Sequence, residues 1–140
     1  EGRDRSRLLC VSSLNLPAQW KTAFKKIDCT GIDTVEGKQA YKVEVTNLED
    51  YSFSYYFDKE SSLIVKIELP VESLAGNSIQ EIFLGNYKMV DGIQFPYAQK
   101  RIEQGREMIL TYLSVKHNVD IPEKTFILPD RIQKIIILVN

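Results

Sequence analysis

Between residues 39 and 117 apolar and polar residues alternate with a period of two, and the alternation breaks only at short clusters rich in Gly, Asp and Ser. A period of two sends successive side chains to opposite faces of an extended strand, so this stretch is bound to form strands rather than helices. Residues 39–46 set Tyr41, Val43 and Val45 against Lys42, Glu44 and Thr46. In "YSFSYYF" Tyr51, Phe53, Tyr55 and Phe57 share one face, with Ser52 and Ser54 on the other. Residues 63–69 place Leu63, Val65, Ile67 and Leu69 together, and residues 79–90 do the same for Phe83, Gly85, Tyr87 and Met89. Ile93, Phe95 and Tyr97 follow in the next segment. Residues 108–117 are apolar on both faces, a pattern that predicts a strand covered twice.

The breaks read as hairpin turns. "EGK" at 36–38, "DKESS" at 58–62, "DG" at 91–92 and "EQG" at 103–105 each separate two strand patterns. Asp-Gly is the strongest of them, because both residues tolerate positive φ. "PVESLAGNS" at 70–78 reads as a wider loop. Ahead of the strands, "NLPAQWKTAFKKI" at 15–27 predicts a helix: Pro17 suits a first turn, Trp20, Phe24 and Ile27 fall three to four apart, and Lys25 and Lys26 suit the negative end of the helix dipole. The expected architecture is mainly β, in the α+β class. It is a curled antiparallel half-barrel sheet with one or more helices packed on its apolar concave face.

A chain of 140 residues fits one domain, long enough to bury a modest core. A net charge of −1 gives no electrostatic footprint for nucleic acid, and the aromatic strand lacks the basic groove of a single-strand binding platform. No apolar run approaches the roughly 20 residues of a membrane-spanning helix; the longest, "IIILV" at 135–139, has the length of a strand. The opening "EGRDRSRLLC" has no signal-peptide pattern, and the expectation is that a leader has been removed or that the chain starts inside a larger protein. A lipoprotein-type attachment at Cys10 is rejected, since Leu9 stands where a small residue is needed. Cys10 and Cys29 are the only cysteines. They are read either as two buried thiols or, in an exported protein, as a bridge contributing roughly 3 kcal/mol.

Catalytic constellations are missing from the pattern. His117 is the only histidine, and Ser114, three residues away on a strand, points to the opposite face. His117, Asp120 and Glu123 have metal-ligand spacing only on a helix, which Pro122 argues against. His117 is therefore expected to be a surface residue at a strand end. Asp33, Glu36, Glu44, Asp58 and Glu68 fall at turns or on polar faces, where solvated carboxylates belong. The seven glycines lie singly and build no phosphate loop. The expectation is a protein that is not an enzyme, with no cofactor and no metal site.

Four stretches in order, "GIDTVEGKQAYKVEV", "YYFDKESSLIVKIEL", "NYKMVDGIQFPY" and "LSVKHNVDIPEKTFILP", make the chain resemble the outer-membrane lipoprotein-sorting (LolA-like) carriers. The matching features are Phe57–Asp58 at a turn, Tyr87 with Val90, Asp91, Gly92, Ile93 and Pro96 in a hairpin, and Asn118, Pro122, Phe126 and Pro129 after the last strand. The resemblance covers about residues 31–129. It implies an open half-barrel with helices over its mouth, a periplasmic location, and a groove that holds the acyl chains of a lipoprotein or lipid. Contact with membrane components would be peripheral. The chain departs from the family in lacking its first helix and several strands, so residues 1–140 are expected to be a single LolA-like half-barrel domain without the N-terminal part of that fold. The helix and arginine that the carriers use at the mouth have no match here, and no binding residue is carried over.

Face assignment alone selects Trp20, Phe24, Phe53, Tyr55, Val65, Ile67, Phe83 and Tyr87 as the lipid-contacting set, because a small domain with few helices leaves a long apolar sheet face uncovered. Two other readings stand beside the carrier. One is a regulatory or interaction module of the same fold, similar to RseB-type envelope-stress sensors and binding an envelope protein. The other is an accessory domain of an exported enzyme.

Overall fold

The computed structural model describes residues 19–73, 76–122, 125 and 127. Seven strands form one open, curled antiparallel sheet in strict sequence order. They are β1 (Phe24–Val35), β2 (Lys38–Asn47), β3 (Ser52–Asp58), β4 (Ile64–Ser73), β5 (Gly76–Val90), β6 (Ile93–Glu103) and β7 (Arg106–Thr111). Among the described residues one helical turn, α1 (Trp20–Ala23), precedes them.

Turn chemistry accounts for the meander. Three hairpins close with two residues, both at positive φ: Glu36 and Gly37 (46° and 82°), Asp91 and Gly92 (49° and 82°), and Gln104 and Gly105 (50° and 74°). Such turns match the right-handed twist of their strands. The β3–β4 turn hangs on Asp58, whose Oδ1 accepts from the Ser61 amide and hydroxyl, both at 2.7 Å, and from the Glu60 amide at 3.2 Å. Those Ser61 bonds hold the Asp58 carboxyl below its ordinary range. The β2–β3 turn has no glycine. Asn47 builds it by accepting at Oδ1 from the amides of Glu49 (3.0 Å) and Tyr51 (2.9 Å), while Asp50 takes a φ of 63°.

The core lies on both faces of β3. On one face Phe24, Val45, Tyr51, Phe53, Tyr55, Leu69 and Ile82 form the larger cluster. Its rings meet edge-on, Phe24 with Phe53 at 6.0 Å and Phe53 with Tyr55 at 5.1 Å. Each such pair adds about 0.5–1.5 kcal/mol beyond area burial. On the other face Tyr56 packs with Val35 and Ala40.

Four expectations are corrected. The helix over 15–27 is confined, among the described residues, to one turn. Phe24 and Ile27 belong to β1, where they pair with Asn47 and Val45. Strand pairing wins because β2 would otherwise present a row of unsatisfied backbone groups along that edge. Trp20 is 53% exposed and no helix of any length covers the sheet among the described residues. The wide loop at 70–78 is mostly strand: Pro70 pairs with Ile79 and Val71 with Ser78. Proline is tolerated there because the β3–β4 ladder stops at the Ser54–Glu68 pair, leaving no partner in want of its missing N–H. The doubly covered strand at 108–117 is the short β7, exposed at all six positions. Finally Cys29 is exposed on β1 rather than buried, while Cys10 lies outside the described residues.

Two substitutions separate core from surface. Ile82→Ala, at a site 2% exposed, should lower unfolding free energy by about 2–5 kcal/mol. Trp20→Ala should change it by no more than about 0.5 kcal/mol. Urea unfolding followed by circular dichroism measures both.

Candidate functional site

The sheet curls around its larger core face and leaves an open groove of about 630 Å³. That is in the size range of sites that hold one small organic ligand. Its floor follows directly from strand register. Tyr55 pairs with Ile67 and Ile67 with Ile82, so all three side chains point the same way across adjacent strands. Phe53, Phe57, Leu69 and Leu84 extend this floor, and Ile93, Phe95, Pro96 and Tyr112 form the far side.

Tyr87 reaches the groove by a slip in the alternation. Leu84 and Tyr87 are three residues apart and should face opposite ways, yet both line the cavity. Asn86 between them has a φ of 51°, which breaks the pleat. The Tyr87 hydroxyl donates to the Ile64 carbonyl at 2.6 Å, tying β5 across to β4. Burial pushes its phenol up to about 12.

Polar groups are few and sit at the rim. Ser62, Gln94, Gln99, Arg101, His117 and Asn118 line it. Arg101 is half-buried, and with the Gln99 amide oxygen turned toward it, donates from Nε at 3.1 Å and Nη2 at 3.3 Å. His117 is also half-buried, not the surface residue that the sequence predicts. Its Nδ1 is sealed from solvent with the nearest carboxylate oxygen, of Asp91, at 3.5 Å, too far for a good hydrogen bond. Among the described residues no three His, Cys, Asp or Glu side chains are arranged to hold a metal ion.

Of the eight residues selected from the sequence, Phe53, Tyr55, Ile67 and Tyr87 line the groove. Phe24 lies beneath it in the core, edge-on to Phe53 and Tyr55. Trp20 is largely solvent-exposed and does not line it. Val65 and Phe83 are on the opposite face, packed against Val35, Ala40 and Tyr56. The physical reason is a bulge. Tyr56 pairs with Lys66 and Phe57 with Ile64, so Val65 is the extra residue and Ile64 takes the inward position. Phe83 pairs with Lys66, which fixes it to the outer face. There the Lys66 and Lys100 ammonium groups lie 5.4 Å and 4.5 Å from its ring centre. Lys66 itself is held by Glu68 (2.7 Å) and Glu81 (2.6 Å), which keep its ammonium charged against the cost of burial.

Sequence reasoning missed Ile82, Leu84, Gln99 and Arg101. Their even–odd placement was legible only once β5 had been set in register with β4, and β6 with β5. No protein-family model, curated protein or solved structure matches this chain.

The groove-side hydroxyl gives a pH signature. A phenol raised from about 10 to about 12 favours the folded state fully below pH 10, and that contribution is lost as pH rises through the folded value. Unfolding free energy of the wild type should therefore fall between about pH 10 and 12, and fall less steeply in Tyr87→Phe. At neutral pH Tyr87→Phe should cost about 1–3 kcal/mol, because the Ile64 carbonyl loses its donor. Denaturant titrations at stepped pH read both effects.

Proposed function

We propose that this protein is a non-catalytic periplasmic carrier that holds the acyl chains of a lipoprotein or lipid in the groove, serving outer-membrane lipoprotein sorting. The single observation that carries the reading is an open, apolar, strand-floored cavity in a sheet that no described helix covers. An uncovered apolar concavity of this kind is costly in water unless something fills it. Each methylene that enters gains about 0.8 kcal/mol, so a chain can be held with few directional bonds. The resemblance to LolA-like carriers supports the same reading, with helices over the groove as the finer feature still to be found. Among the described residues the polar contacts needed for general acid–base work are not assembled at the groove, which favours binding over chemistry.

Titration with cis-parinaric acid tests this. Wild type should show saturable fluorescence enhancement. Leu84→Asp, which charges the groove wall, should weaken binding by at least about tenfold, since a carboxylate facing hydrocarbon costs more than ~1.4 kcal/mol. Ile109→Ser, on exposed β7, should bind as wild type does. Absence of saturable binding by wild type would sink the carrier reading.

One observation favours a second reading, the interaction module or accessory domain. β7 is an outer strand whose Met108, Ile109 and Leu110 are exposed on both faces, next to a backbone edge that no strand among the described residues pairs. Such an edge accepts a partner strand. Under this reading Ile109→Lys should abolish association with a partner or a second copy, seen as a lower mass by light scattering, and leave fatty-acid binding unchanged. A wild type that stays monomeric and binds no envelope protein would argue against it.

A further inference from the structure

Among the described residues Arg101 is the only groove-lining side chain that carries a permanent charge. It stands on β6 opposite Ile82 of the groove floor and opposite Met108 of β7. Among the described residues no carboxylate pairs with it. The same-face neighbour Glu103 is engaged elsewhere, accepting from Gln80 Nε2 at 2.6 Å. The contact it does make, with the Gln99 amide, orients the guanidinium without neutralising it. The two lysines over the Phe83 ring on the sheet's outer face each have acid partners: Lys66 with Glu68 and Glu81, and Lys100 with Glu36. An unneutralised, half-buried cation at an apolar cavity is an expensive arrangement unless an anion arrives.

The placement also suits an amphiphile. Arg101 lies six positions beyond Phe95 along β6, a span of about 20 Å at strand rise. An extended hydrocarbon chain lying along Phe95, Leu84 and Ile82 would bring its head to the guanidinium. A planar fork of donors receives a carboxylate or a phosphate with two parallel hydrogen bonds. We infer that the groove takes a single-chain amphiphile with an anionic head, which Arg101 receives while the tail lies on the Tyr55–Ile67–Ile82 floor. This rests on the acyl-carrier reading and takes its lipid branch, since a lipoprotein's ester- and amide-linked acyl chains carry no negative head group to meet the guanidinium. Neutral acyl esters and alcohols are disfavoured, because they leave the guanidinium without a counter-charge.

Isothermal titration with laurate, dodecyl phosphate and dodecanol, each below its aggregation threshold at neutral pH, tests the inference. The three share one tail and differ in the head. The expected result is that laurate or dodecyl phosphate binds at least about tenfold more tightly than dodecanol, as a charge-assisted bond implies. Whichever wins identifies the head as carboxylate or phosphate. Arg101→Met, which keeps the stem but drops the charge, should erase that preference while dodecanol binding holds; Arg101→Lys should retain part of it. Equal affinity for all three in wild type overturns the inference and leaves the carrier reading standing. Absence of binding by any of them overturns both. The wild-type comparison is decisive even if Arg101→Met fails to fold.

Discussion

Tyr55 and Tyr56 are adjacent in sequence and lie in opposite cores, and most of the molecule is arranged around that pair. Strand alternation sends Tyr55 into the larger cluster with Phe53, Leu69 and Ile82, and Tyr56 into the smaller one with Val35 and Ala40. β3 is consequently buried on both faces, although it lies in an open sheet that meets water on each side. The inner side supplies the aromatic floor of the groove. The outer side supports the lysine and glutamate lattice, where the Tyr56 hydroxyl donates to Glu68 at 2.7 Å and Lys66 bridges to Glu81. Burial and that bond raise the Tyr56 phenol well above its ordinary value. Removing β3 would leave neither face with a core.

The second determinant is the bulge at Val65. By inserting one residue against the Tyr56–Phe57 step it exchanges which β4 side chains face inward, putting Ile64 on the groove side and Val65 with the outer cluster. Ile67 and Leu69, beyond the bulge, keep the inward face. The Tyr87–Ile64 bond spans the same region, so the bulge and the slip at Asn86 together shape one end of the cavity. The groove's width there depends on two local departures from regular pleating rather than on any inserted element.

The meander itself was legible in the residues, because period-two patterning and Gly-containing turns are local signals. The three positive-φ hairpins at Gly37, Gly92 and Gly105 illustrate this. The β2–β3 turn was harder, since its organiser is the side chain of Asn47 acting on amides two and four residues on. The helix expectation at 15–27 failed on Phe24 and Ile27, whose spacing from Trp20 fits a helical stripe but whose partner is the neighbouring strand β2. Groove membership was only partly legible. Phe53, Tyr55 and Ile67 follow from alternation within a strand, but Val65 and Phe83 were misplaced because facing depends on register between strands, which a bulge resets. An apolar side chain such as Phe83 can also occupy a polar face when lysines lie over its ring, and composition does not distinguish that from a core position.

The strict sequence order of the seven strands carries a consequence for how the chain acquires its shape. Every ladder joins neighbours along the chain, so no pairing needs a long segment to be closed before it forms. Sheets built from distant strands fold slowly because that closure comes first, whereas here each tight hairpin is its own starting point. The pairing of β3 with β4 carries the richest aromatic and aliphatic contacts of the native sheet. Unfolding begins at the rims, where β7 has six exposed residues and little to lose by peeling away. The molecule thus grades from a firm spine to loosely held margins, and the margin on the β7 side carries Met108, the residue paired with Arg101 of the groove, so fraying of β7 would open the groove on that side.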